Sequence, residues 1–391
     1  MTRRIGLWVF VYLFFSMAAA PARAGDEALT TFAAASVEIG QKKFTAAGCN
    51  QHKSEGGKPS NATICGPEGA AALGGSTFYV PDGGNVRVLG FKGIPKKNDA
   101  AAKLVLGQKK FTSAKSGVSS TLFDYPSAIA TAGNQLLITD FGNSRVLIWN
   151  KLPIKTNTPA DLVVGQSNLT SNVSATTQSG LDHPELGLFV AGGKLFVSDR
   201  NNNRVMIWNS VPSTNGANAD VVIGQPNFTS KNASNTETSL DEPEGIWSDG
   251  TRLVVADEAN NRVLIWNSIP TSNGAPADVV VGQTDFTSSD NPEPPTDQSL
   301  NEPSGVASDG SNLYVEDWQN NRILVYSPFP SSNNPAASIV LGQADFTHRD
   351  ENAGNASPSA QTLFGPFGLS VIGSQLIVND FGNNRYLIFN L

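Results

Sequence analysis

The chain has 391 residues, with 27 Lys and Arg against 34 Asp and Glu and a formal net charge of −7. That balance disfavours nucleic acid as a partner, because a phosphate backbone is held by clustered Lys and Arg. At this length one large or two ordinary domains are possible, and only the internal pattern decides between them.

Residues 1–24 carry Arg3-Arg4, an apolar run from Ile5 to Ala20, and then Ala22-Arg23-Ala24. This charged, apolar, small-residue order predicts a secretory signal peptide, with an uncleaved N-terminal anchor as the alternative. Cleavage would remove three arginines and no acid, leaving a still more acidic chain. No later stretch is apolar enough to span a bilayer, so the mature protein is expected to be secreted or periplasmic, without a membrane span, and monomeric. Residues 25–391 are expected to form a single domain.

From there to the last residue the chain repeats itself at steps of roughly 60 residues. The pattern DxxNxR occurs at Asp82 to Arg87, Asp140 to Arg145, Asp199 to Arg204, Asp257 to Arg262, Asp317 to Arg322 and Asp380 to Arg385. A Gly-Gln pair keeps the same beat at Gly40, Gly107, Gly165, Gly224, Gly282 and Gly342. The copy that starts at Leu240 predicts four strands: Pro243 to Ser248, Leu253 to Ala256, Arg262 to Asn267 and Asp278 to Gln283, with turns at Asp249-Gly250 and Asp257 to Asn261. Four short strands per unit, six times over and without helical periodicity, predict an all-β fold, a six-bladed β-propeller of four-stranded antiparallel blades. The blades are expected near 66–112, 123–170, 181–229, 240–287, 300–347 and 363–391.

The last copy stops after its third strand, and the missing piece stands at the other end. Residues 36–45, Ser-Val-Glu-Ile-Gly-Gln-Lys-Lys-Phe-Thr, match the fourth-strand pattern before any complete blade. This segment is expected to supply the outer strand of the last blade and close the ring, which removes open sheet edges.

The run PEGIWSDGTRLVVADEANNRVLIWN, from Pro243 to Asn267, resembles the NHL repeat: Pro-x-Gly, an Asp-Gly turn, an apolar strand ending in Asp, and Asn-x-Arg before the next strand. All six copies match at the Asp and Arg positions, with the first departing most, as Val88-Leu89-Gly90-Phe91 replaces the usual aromatic strand end. The resemblance implies a six-bladed propeller of an exported bacterial type. It implies little about activity, since such propellers serve as binding platforms and as enzymes. The amidating-lyase branch depends on histidines that this chain does not supply.

A motif present in every blade belongs to the fold. The repeated Asp and Arg are therefore read as structural, the Arg reaching its carboxylate as a bidentate fork, and Trp149, Trp208 and Trp266 as packing between blades. Function is expected where the copies differ, on the face carrying the long loops between outer and inner strands, about 45–66, 112–125, 170–183, 229–242, 287–302 and 347–365. Cys49 and Cys65 in the first of these loops are expected to form a disulfide. His52, His183 and His348 share this face, but rim and channel positions keep them from converging on a zinc ion. The residue after the inner-strand proline is Glu68, Glu185 and Glu244 in three blades, and Ser127, Ser304 and Phe367 in the others. With Asp182, Asp241, Glu242, Glu302 and Glu316 nearby, these acids form either a solvated rim or a calcium site at Glu68, Glu185 and Glu244.

Two functions follow. The first is an exported binding module without cofactor that holds a protein, peptide or glycan on the loop face. The alternative is a calcium-dependent hydrolase or lyase, lactonase-like in architecture, with its acids at the channel mouth. No nucleophile elbow or phosphate loop is present, and no catalytic residue is assigned.

Overall fold

The computed structural model describes residues 29–52 and 57–391, so the expected signal peptide lies outside the described residues. Six four-stranded antiparallel sheets are arranged as the blades of a propeller. Blade 4 shows the plan: inner strand Pro243–Ser248, then Leu253–Asp257, Arg262–Trp266 and outer strand Val279–Val281. Its register pairs Asp257 with Arg262 and Leu253 with Trp266, which sets motif Asp and motif Arg side by side at one end of the blade. The turn between them is one turn of 3-10 helix, Glu258–Asn260, closed by Asn261 in the left-handed region at φ 53°. Asn tolerates that conformation better than most residues.

The outer strand is shorter than the pattern suggests, three residues rather than six. The Gln that follows it leaves the ladder to tie down a loop: Gln283 Nε2 donates to Asn261 O at 2.8 Å and Asp290 O at 2.7 Å. The same two bonds recur in all six blades, with Gln41, Gln108, Gln166, Gln225 and Gln343. Between blades lie apolar layers, such as Val254, Val263 and Ile265 of blade 4 against Leu313, Val315 and Leu324 of blade 5. Trp149, Trp208 and Trp266 are buried in these layers, and each satisfies its indole N–H on a loop carbonyl at 3.0–3.1 Å. Burial of this kind stabilises by roughly 25 cal/mol per Å² of apolar surface.

The DxxNxR residues form one device built six times, every Asp and Arg fully buried. Asp Oδ1 accepts a backbone N–H from the loop entering the blade, Asp241 N in blade 4 at 2.7 Å. Asp Oδ2 accepts Asn Nδ2 at 2.8–2.9 Å and Arg Nε at 2.6–2.7 Å. The expected bidentate fork is not formed. Only Nε takes the carboxylate, while the terminal nitrogens reach backbone carbonyls of the loops on either side, Phe286 O, Thr236 O and Ser239 O for Arg262. The guanidinium has five donors, and two carboxylate oxygens cannot satisfy them together with the loop carbonyls that would otherwise be left bare. Burial lifts Asp140, Asp199 and Asp257 to about 6, against the opposing pull of their arginines.

Ring closure follows the expected route and begins earlier in the chain. Val37–Ile39 pairs antiparallel with the C-terminal strand Arg385–Asn390, completing blade 6. Arg385 Nη1 donates to Phe44 O at 2.7 Å, as the other motif arginines do to the Phe or Leu of their own blades. Upstream, Thr31 Oγ1 accepts Val340 N, and Phe32 N donates to Val340 O at 2.9 Å with Phe32 at φ 57°. Asn273 and Gly274 make the same pair of bonds to Val222. Residues 31–45 therefore stand in for a third-to-fourth-strand loop as well as a strand. The seam carries one substitution of its own: Glu38 occupies the centre of the outer strand, where every other blade has Val. It is fully buried, its Oε2 lies 3.4 Å from Arg385, and burial raises it to about 7.

Cys49 and Cys65 are joined by a disulfide, with Cα atoms 4.4 Å apart. The bond anchors the loop that enters blade 1, where Cys65 N also meets Asp82 Oδ1 at 2.9 Å. Reduction is expected to lower unfolding stability by about 3 kcal/mol, read as a shift of the urea midpoint. An unchanged midpoint would mean that the loop is already fixed by its hydrogen bonds.

Candidate ligand site at the channel mouth

Three positions of the repeat place side chains around the mouth of the central channel on the loop face. The first is the residue before the inner-strand proline: Gly66, Tyr125, His183, Glu242, Glu302 and Gly365. All six have φ between 51° and 62°. The conformation is imposed by the neighbouring blade, where Asn261 Oδ1 accepts Glu302 N at 2.8 Å and Asn203 Oδ1 accepts Glu242 N at 2.8 Å. Glycine fits this conformation freely, yet four blades place Tyr, His or Glu there at a cost of roughly 1 kcal/mol or more each. The second position, after the proline, holds Glu68, Ser127, Glu185, Glu244, Ser304 and Phe367. The third follows the motif Asp: Gly83, Phe141, Arg200, Glu258, Trp318 and Phe381.

These rings converge on blades 1 to 4. Arg200 is the hub: its Nε lies 2.5 Å from Glu244 and 3.3 Å from Glu185, and its Nη2 lies 2.5 Å from Glu242 and 3.0 Å from Glu258. Glu244 is fully buried and takes Leu186 N on its other oxygen at 3.1 Å. Burial first, and then Glu185, push Glu68 and Glu244 well above the usual carboxylate range. Burial lifts Glu258 to about 7. For Arg200, burial works against the charged form, but the four glutamates outweigh it and raise the pKa. Glu68 is nine-tenths buried beside the Tyr125 hydroxyl, and its Oε2 has no hydrogen-bond partner among the described residues. An unpaired buried carboxylate oxygen of this kind costs free energy that a ligand could recover.

Aromatic rings border the acids. Phe141 meets Tyr125 edge-on at 6.4 Å and His183 at 5.0 Å, and His183 Nδ1 is 2.6 Å from Asp182. Across the channel Trp318, Phe367 and Phe381 form a second group, with centroids 5.3 and 6.2 Å apart.

Of the acids singled out in the sequence, Glu68, Glu185 and Glu244 are brought to one neighbourhood. Glu302 stands apart, accepting Gln319 Nε2 at 2.9 Å. Glu316 lies below the mouth, fully buried, accepting Gly368 N at 2.5 Å, and burial raises it to about 8. The positive charge between Glu185 and Glu244 is Arg200. Among the described residues no group of three or more His, Cys, Asp or Glu is arranged to hold a metal ion. Sequence reasoning missed Arg200, Glu258 and Phe141 because they sit inside DxxNxR. The signal was available: the first x of the motif is Gly, Phe, Arg, Glu, Trp and Phe in the six blades, while the motif Asp, Asn and Arg do not change.

No protein-family model matches the chain, and no curated protein does. Solved structures share its architecture. A nutrient-binding protein of Bacteroides thetaiotaomicron is similar at 11% identity, covering 90% of this chain and 75% of that one, with a TM-score of 0.50. Virginiamycin B lyase of Staphylococcus aureus follows at 12%, covering 85% and 97%, with 0.45. A nidogen/laminin complex follows at 16%, covering 67% and 76%, with 0.41. At 11% identity the likeness to the nutrient-binding protein shows the fold alone, and the chain is a six-bladed β-propeller.

Proposed function

We propose that the protein is an exported NHL-type binding propeller that uses the loop-face mouth to hold a cationic group, the ammonium or guanidinium of a basic peptide or protein segment. The observation that carries this reading is Glu68: a buried carboxyl whose Oε2 has no hydrogen-bond partner among the described residues, beside the ring of Tyr125, in a mouth where, among the described residues, acids outnumber Arg200. Carboxylates and aromatic faces together favour an organic cation. The disulfide and the Arg3-Arg4 leader pattern support an oxidising compartment outside the cytoplasm. Among the described residues no helix is long and apolar enough to cross a membrane. Glycan binding and calcium-dependent catalysis remain the competing readings. Arg200 weighs against the second, since its guanidinium stands 3.3 Å from Glu185 and 2.5 Å from Glu244, in the place a calcium ion bound by those acids would need.

The test is calorimetric titration of a lysine-rich peptide, an arginine-rich peptide, an acidic peptide, an oligosaccharide and calcium. Binding of the basic peptides alone is expected, weakened by salt. Affinity should rise as pH is raised from 6 to 8, with proton release, because the cation selects the ionised form of Glu258, which burial lifts to about 7. Binding of calcium or glycan with no response to basic peptide would overturn the reading.

A further inference from the structure

The channel has a second end, and its chemistry is opposite. Between the inner strands on the Asp-Gly turn side lies a cavity of about 420 Å³ with no ionisable side chain among the described residues of its wall. Leu73, Phe189, Val190, Trp247 and Val371 line it from four blades, and all but Trp247 are half-buried, wetted apolar surface. Above it the inner strands draw together. A Cβ on Gly245 would fall 2.8 Å from Gly305 Cα, and one on Gly368 would fall 2.3 Å from the Gly69 carbonyl carbon. This glycine collar narrows the channel between the charged mouth and the apolar chamber.

The chamber is about three times the roughly 150 Å³ of a dry cavity that admits benzene, and it falls within the size of small-molecule sites. Its polar side-chain groups are few, and Ser370 Oγ is buried there without a partner among the described residues. We propose that this chamber binds the alkyl chain of a single-chain amphiphile, with the head group left in water at the Asp-Gly face. The lining argues for an apolar chain: the inner strands of all six blades contribute to the wall, which puts the cavity on the channel axis, and none of the lining residues could pair with a buried charge. Apolar burial supplies the affinity.

Trp247 in the wall provides the readout. Titration with 12-bromododecanoate below its micellar concentration is expected to quench tryptophan fluorescence saturably. Dodecanoate should reverse the quenching, and Trp247→Phe should remove most of it. Dodecyl maltoside competing as well as dodecanoate would show that the chain alone is recognised, whereas competition by dodecanoate alone would add a carboxylate head to the ligand's description. Val190→Trp should weaken binding at least tenfold by filling the entrance. Should that variant fail to fold, the Trp247→Phe comparison still decides. Absence of saturable quenching, or quenching indifferent to Trp247→Phe, would overturn the proposal.

Discussion

Removal of residues 29–45 is expected to abolish cooperative unfolding of the propeller at room temperature. The segment contributes the buried Val37 and Ile39 and the half-buried Phe44. Each is worth roughly 1.5–3 kcal/mol when buried. It also supplies the acceptor for Arg385 at Phe44 O and the outer partner of Tyr386, Leu387 and Ile388 in the C-terminal strand. Without it, blade 6 has an unpaired edge and Arg385 a buried, incompletely satisfied guanidinium. The summed loss, on the order of 5–10 kcal/mol, matches the entire stability of an ordinary domain. Circular dichroism melts of the shortened chain, with and without a synthetic peptide of residues 29–47, provide the check. Recovery of a cooperative melt in the presence of the peptide is the expected result. A shortened chain that melts like the full protein would mean that the ring is closed elsewhere.

Arg262→Met is expected to destabilise by about 3–5 kcal/mol, the usual cost of leaving one member of a buried ion pair alone. Asp257 would keep its two N–H donors but lose its counter-charge, and the loop carbonyls of Asn235, Thr236, Ser239 and Phe286 would lose the guanidinium that ties them together. The double variant Asp257→Leu, Arg262→Met should cost less than the two single losses added together, because it leaves no orphan charge. Urea titration measures both. Equal and additive losses would show that the two residues do not act as a unit.

These two results concern residues that repeat, and repetition is why they were legible. The period of DxxNxR and Gly-Gln places every blade, and the unfinished last copy points to Val37–Ile39 at the other end of the chain. The role of Thr31 and Phe32 was not read, because their segment, Thr-Thr-Phe-Ala-Ala-Ala-Ser, shares only small residues and a left-handed turn with its counterparts at Asn273 and Gly274. Backbone conformation, rather than side-chain identity, is what repeats there. The arginine geometry was misjudged for a related reason. The carboxylate is in the sequence, whereas the loop carbonyls that compete for the guanidinium are backbone atoms with no letter of their own.

The mouth was half legible. Glu68, Glu185 and Glu244 stand at one repeat position and could be read as a ring. Arg200 could not be placed, although it decides the electrostatics: four glutamates share one guanidinium, and the upward shifts of Glu68 and Glu244 follow first from burial, which only the fold defines. The left-handed backbone at Tyr125, His183, Glu242 and Glu302 was likewise hidden, since the residue before a proline is normally extended.

The division between repeated residues that hold the ring and varied residues that bind is tested most directly at Glu68 and Tyr125. The measurement is the affinity of a basic peptide for the wild-type protein and for Glu68→Gln and Tyr125→Ala, taken at pH 8 with melting temperatures recorded alongside. The account predicts affinity at least tenfold weaker in both variants, with melting temperatures within a few degrees of wild type. Unchanged affinity in both variants, or no binding by the wild-type protein, would contradict it.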